Sequence, residues 1–96
     1  MPRLRWSQAA RLDVIRLHEF LVSKNPDAAA RAVEAIQQGV RDSSKHPAIG
    51  RPVDEMPPEF REWIVEFGHG GYVILFHFDG KESVILAVRH GREAGY

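Results

Sequence analysis

Tyr72-Val73-Ile74-Leu75-Phe76-His77-Phe78, then Asp79-Gly80, then Ser83-Val84-Ile85-Leu86-Ala87-Val88-Arg89-His90, is the stretch that decides the architecture of this chain. The first run is apolar at nearly every position, so both faces of the strand it forms need cover, as in a central strand. Asp-Gly between two apolar runs is a strong hairpin signal. Upstream, residues 61 to 67 alternate. Arg61, Trp63, Val65 and Phe67 fall on one face, with Glu62, Ile64 and Glu66 on the other. Gly68-His69-Gly70-Gly71 turns the chain between these runs. Hairpin connections make the strands an antiparallel meander.

From His46 to Glu59 no periodicity survives. His46-Pro47, Gly50-Arg51-Pro52 and Pro57-Pro58 exclude a helix or an inner strand, leaving a long loop. Before it lie two helical patterns. The first runs from Ser7, a suitable N-cap, to about Lys24, with Ala10, Val14, Leu17 and Leu21 as its apolar stripe. Ile15, His18 and Val22 widen that stripe, and Arg16, Glu19 and Ser23 lie opposite. The second opens on Asn25-Pro26-Asp27 and runs to Ser43 or Ser44, with Ala29, Val33, Ile36 and Val40 inward. Asparagine is a good N-cap, proline fits the first helical position, and Asp27 suits the positive end of the helix dipole. Gly39 costs this helix roughly 1 kcal/mol relative to alanine, a cost consistent with close helix packing. The short link predicts an antiparallel helix hairpin. Leu4 to Trp6 is a short strand. The predicted fold is α+β, in the order β-α-α-β-β-β: an N-terminal strand and a helix hairpin packed on a small, mainly antiparallel sheet. The hairpin covers one face only, so the other is expected to need a partner.

Residues 1–96 suffice for a single domain. With no cysteine, disulfides, thiolate metal sites and cysteine nucleophiles are excluded. Met1-Pro2-Arg3-Leu4-Arg5-Trp6 opens no apolar run of signal-peptide length, and the longest apolar run is too short to span a bilayer. A soluble, cytoplasmic protein is the expectation. Thirteen basic and thirteen acidic residues give no net charge, which speaks against direct nucleic-acid binding by the chain alone. No pair among His18, His46, His69, His77 and His90 has the i, i+4 spacing of helical metal ligands. Neither a metal nor a cofactor is expected.

Several segments taken together resemble the RelE/ParE toxin superfamily of type II toxin–antitoxin systems. They are Ala10, Asp13-Val14, Leu17, Phe20 and Leu21; His46-Pro47-Ala48-Ile49-Gly50-Arg51-Pro52; Arg61 opening a strand; Tyr72 to Phe76; and Val88-Arg89-His90-Gly91-Arg92. The Pro-x-x-Gly-Arg loop and the terminal Val-x-His-x-Arg are the more specific pieces. The resemblance implies one of two activities. RelE-like members are ribosome-dependent messenger-RNA endoribonucleases; ParE-like members lack that catalysis and poison DNA gyrase. Three features place the chain closer to the ParE branch, the plasmid stabilisation proteins. The middle strand reads Tyr72-Val73-Ile74 where the nucleases commonly carry an arginine. The last strand ends His90-Gly91-Arg92 rather than on a tyrosine or a His-Tyr pair. The loop before the strands lacks a lysine cluster and offers Arg51 with Asp54, Glu55 and Glu59. The resemblance also implies neutralisation by a ribbon-helix-helix antitoxin. A binding module of the same fold without toxicity is the remaining alternative.

For a ribonuclease the candidates are Arg61, Arg89, His90, Arg92 and Tyr96; for partner binding they are Leu12, Trp63, Arg61, Arg89, His90 and Arg92. In the functional reading Arg61, Arg89, His90 and Arg92 gather at one end of the sheet as a basic patch. In the plainer one, Arg61 and Arg89 pair with Glu62, Glu66 or Asp13 to hold the fold. Arg51 is read as bonding to backbone carbonyls of its loop. Trp63 and Phe67 are core residues unless their face is the antitoxin groove, and His77 is a core or interface histidine.

Overall fold

The computed structural model describes residues 3–68 and 70–91. Its elements are β1 (Arg3–Trp6), α1 (Gln8–Val22), α2 (Pro26–Lys45), a single 3-10 turn (Pro47–Ile49), β2 (Arg51–Pro52), β3 (Phe60–Val65), β4 (Tyr72–Phe78) and β5 (Glu82–His90). The sheet is five-stranded in the order β1-β5-β4-β3-β2. β1 pairs parallel to β5, and the other ladders are antiparallel. The α+β order read from the sequence holds, with β4 at the centre and one strand added. β2 is two residues long and includes Pro52, which an edge strand tolerates because its missing N–H faces outward.

The helix caps follow the sequence. Ser7 Oγ accepts from the Ala10 N–H at 3.0 Å, and Asn25 Oδ1 from the Ala28 N–H at 3.1 Å. α1 stops at Val22, two residues before the expected Lys24. The inward faces are narrower than expected. Ala10 and Leu17 are buried, but Ile15 is 53% exposed and Val22 38%. On α2, Ala32 is buried and Val33 only half-buried. One helix layer has two boundaries, and residues on the flank of α1 pass beyond both the sheet and α2.

Register fixes which residues share a face. Trp63, Ile74 and Val88 align, as do Val65, Tyr72 and His90, and these rows face the helices. Ile64, Val73 and Arg89 align on the opposite, open face, as do Glu62, Leu75 and Ala87. β3 ends at Val65, so Glu66 and Phe67 belong to the following turn, which the Gly71 N–H closes on the Phe67 carbonyl at 2.9 Å. Gly68 and Gly71 both take positive φ there, a conformation that disfavours side chains. β5 carries one extra residue, Leu86, between the partners of Leu75 and Phe76. In the β4–β5 turn Asp79 Oδ1 accepts from the N–H groups of Lys81 and Glu82, each at 2.8 Å.

Gly39 was expected to bring the helices together. Instead it lets α2 settle on the sheet: a Cβ there would collide with Val65 Cγ2 and stand 3.3 Å from Ile74 Cδ1. Gly39→Ala is expected to lower stability by about 1–3 kcal/mol, the usual range for overpacking, despite alanine's better helix propensity. In a urea-denaturation cycle, Gly39→Ala with Val65→Ala should cost less than the sum of the two. The backbone N–H groups of Glu82 and Lys81 hold Asp79 below the ordinary carboxylate value of 3.8. A depressed folded-state pKa gives stability that is present above the unfolded value and lost as pH falls through the folded one. Asp79→Ala should therefore lower Tm at neutral pH, and its difference from the parent chain should shrink once pH drops below 3.8.

Candidate functional site

β4 presents Val73 and Leu75 to the open face, and they are only 5% and 6% exposed. No helix lies on that side among the described residues. The cover comes from long side chains on the neighbouring strands. Glu62 on β3 is 8% exposed and carries a cation on each side. Arg51 Nε of β2 donates to its Oε1 at 2.9 Å, and Arg89 Nη2 of β5 lies 3.8 Å from its Oε2. Since β4 separates β3 from β5, the Glu62–Arg89 pair must cross it above Val73 and Leu75. Their aliphatic stems then cover apolar surface while the charged ends meet. Arg5 and Glu82 form a further pair on this face at 3.2 Å. Half-buried His77 stands edge-on to Phe60, centroids 4.9 Å apart.

Of the residues expected in one patch, the three described ones, Arg61, Arg89 and His90, stand apart. Arg61 aligns with Phe76 on the helix-side face and Arg89 with Val73 on the open face. Three positions along β4 separate them, roughly 10 Å at ~3.3 Å per residue. His90 follows Arg89 directly and therefore points to the opposite face. There its ring meets Tyr72 edge-on at 5.6 Å, and the Gly70 backbone closes against it. Arg92 and Tyr96 lie outside the described residues, as does His69. Among the described residues no cluster of three metal-ligating side chains forms.

Two arginines exchange the roles read from the sequence. Arg61, not Arg51, holds the loop: its Nη1 donates to the Gly50 carbonyl at 2.7 Å and to that of Ala48 at 3.4 Å. Arg51 is drawn into the sheet by Glu62. Of the expected pairings, Arg89 with Glu62 is present. Asp13 does something else: its Oδ2 accepts from the Val88 N–H at 2.9 Å, and Ser7 Oγ donates to the Leu86 carbonyl at 3.3 Å. β1 reaches β5 only as far as Ile85. These two side chains therefore occupy backbone positions on β5 that no strand pairs.

Trp63 is half-buried against the core. Leu12 is 54% exposed, as its place on the polar side of α1 implies. Beside it Trp6, Arg11, Val14, Ile15 and Gln37 line an open groove of about 300 Å³ between α1, α2 and the end of β1. Phe20 is also exposed, with Lys24 Nζ 5.0 Å from its ring centroid. Glu62 was legible as a partner of Arg89, but its shorter contact, with Arg51, was not. An acid between apolar strand positions was its one signal, and its partner Arg51 sat in a stretch read as loop.

Arg61→Met is expected to cost about 1–2 kcal/mol, the scale of lost charge-assisted hydrogen bonds. Native-state hydrogen exchange should quicken across residues 47 to 52, with β4 unaffected; unchanged exchange there would deny Arg61 its positioning role.

Comparison with known proteins agrees with this architecture. The family described as "ParE toxin of type II toxin-antitoxin system, parDE" matches residues 4–95. A Caulobacter vibrioides protein named Toxin RelE3 is 32% identical over 93 residues, covering 97% of this chain and 98% of the relative. Toxin RelE1 of the same organism is 32% identical over 87 residues, 91% of this chain and 90% of the relative. Among solved structures, a chain from the chromosomal ParDE TA system of P. aeruginosa superposes with a TM-score of 0.77 at 24% identity, over 94% of this chain and 96% of that one. A chain from the Mycobacterium tuberculosis toxin–antitoxin complex RelBE2 superposes at 0.63, also at 24% identity, over 94% and 99%.

Proposed function

The chain belongs to the ParE toxin family of type II toxin–antitoxin systems, and from that premise we propose that it acts without catalysis, as an inhibitor of DNA gyrase held in check by a cognate antitoxin. One observation carries the reading: Arg89 and His90 lie on opposite faces of the sheet, and Arg89 faces Glu62. In-line cleavage of RNA requires a base, an acid and a cation around one phosphate. Among the described residues Arg89 and His90 are divided by the sheet, and Arg61, on the His90 side, is engaged by the Ala48 and Gly50 carbonyls. Val73, buried beside Arg89, offers no replacement charge at the centre of the open face.

A non-catalytic toxin acts by binding, and binding surface is what the chain exposes. The groove beside Leu12 and Ile15 suits an apolar segment of an antitoxin, expected to be of the ribbon-helix-helix type, with Arg11 at the rim to meet an acid. Both structural neighbours come from toxin–antitoxin systems, which supports such a partner. Gyrase as target places the protein in the cytoplasm, and among the described residues no helix is long and apolar enough to cross a membrane.

The names of the two Caulobacter relatives favour a second reading, a RelE-like ribonuclease. One paired experiment separates them. Purified toxin should abolish gyrase supercoiling while primer extension on translating ribosomes finds intact message. Normal supercoiling at saturating toxin, with cleavage that His90→Ala removes, would reverse the assignment. If both assays stay blank and expression leaves growth unimpaired, the chain is a binding module.

A further inference from the structure

Glu62 stands on the open face of β3 between Phe60 and Ile64, with Leu75 beside it on β4. An acid here is buried among apolar neighbours, at 8% exposure. Each of its oxygens meets a cation. Oε1 accepts from Arg51 Nε at 2.9 Å, and Oε2 faces Arg89 Nη2 at 3.8 Å. The cations approach from opposite sides, one from the β2 edge and one from β5 across the central strand. Guanidinium groups bind carboxylate and phosphate with the same planar donors.

We propose that Arg51 and Arg89 form an oxyanion cradle whose occupant is built in: the Glu62 carboxylate fills the place of a phosphate or carboxylate group and closes the open face to external anions. The Arg89 side chain is 17% exposed, so its charge needs an anion close by. The Arg51 side chain is 58% exposed, which leaves that flank of the cradle open to solvent. A tethered carboxylate has a high effective concentration at its own site, so a free anion loses the competition. Removing the tether should hand the site to the solution. The inference rests on the reading of this face as catalytically silent, for which it supplies a cause. Its test uses neither gyrase nor ribosomes, so the two fail separately.

The test is thermal unfolding of the full chain, titrated with sodium phosphate or sodium formate against sodium chloride of equal ionic strength. The parent chain should show no saturable rise in Tm with either anion. Glu62→Ala should start lower and rise saturably, with at least tenfold tighter apparent binding than the parent, and adding Arg51→Gln should abolish the response. The phosphate and formate arms identify which oxyanion the cradle fits. Glu62→Gln keeps the side-chain volume and covers the case in which the alanine variant does not fold. Its arginine side-chain N–H resonances should move with the better anion, while those of the parent stay still. The proposal is overturned if folded Glu62→Ala responds no more than the parent chain does. It is equally overturned if the parent binds as tightly as the variant, or if the Glu62→Gln resonances do not move.

Discussion

β4 is apolar on both sides, and the described residues provide only one layer of helices with which to cover it. On one face the helices provide the cover through Ile36, Val40 and Leu17, packed over Ile74, Phe76 and Ile85. Small residues make the approach close: Ala29, Ala32 and Gly39 are buried in α2, and Gly39 admits Val65 of the sheet. On the other face Val73 and Leu75 have no helix above them among the described residues. A charged bridge from β3 to β5 takes its place. The two covers differ in kind. The helical one draws on apolar area, and the bridge on a carboxylate that keeps its cations together at low exposure. Buried ion pairs add little net stability but are costly to break singly, so the bridge fixes strand positions more than it adds to stability.

The sheet edges obey the same accounting of polar groups. A buried backbone donor or acceptor needs a partner. β5 continues past the end of β1, so the Leu86 carbonyl and the Val88 N–H lose the strand that would have served them. Ser7 and Asp13 meet those groups with side chains from the start of α1. That ties the first helix to the last strand across most of the chain length. The 3-10 turn and β2 are held likewise, by Arg61 on the Ala48 and Gly50 carbonyls and by Glu62 on Arg51.

Local chemistry made the elements legible. Ser7 and Asn25 cap the helices the sequence assigns to them, Asp79-Gly80 turns the hairpin, and the apolar run 72–78 is central. Tertiary position was not legible in the same way. Ile15 belongs to the apolar periodicity of α1 yet is exposed, because periodicity identifies a face but not where its cover ends. Ala32 displaces Val33 for the converse reason: close packing onto a sheet favours small side chains. The exchange of Arg51 and Arg61 has a single cause. β2 is too short to carry a pattern, and without it nothing in the sequence brings Arg51 beside Glu62. Of the candidate patch, Arg89 and His90 part because neighbours along a strand point to opposite faces, and Arg61 and His90 share a face but lie four β4 positions apart.

The pleat of the sheet limits what such a fold can evolve to do. Two functional groups adjacent in a strand cannot serve one reacting atom, because the pleat sends them to opposite sides. Catalysis on a sheet therefore needs alternate positions or contributions from separate strands, and here the available alternates around Arg89 are Ala87, Val73, Leu75 and Glu62. Arg51 approaches from the β2 side, and the Glu62 carboxylate offsets the charge of both guanidinium groups that would otherwise stabilise a phosphorane. Recognition of a protein partner carries no such demand for convergence. It needs exposed apolar anchors with a few charges at the rim. Exposed Leu12 and Ile15 on α1, with Arg11 at the groove, meet that description on an element packed against the face opposite the bridge.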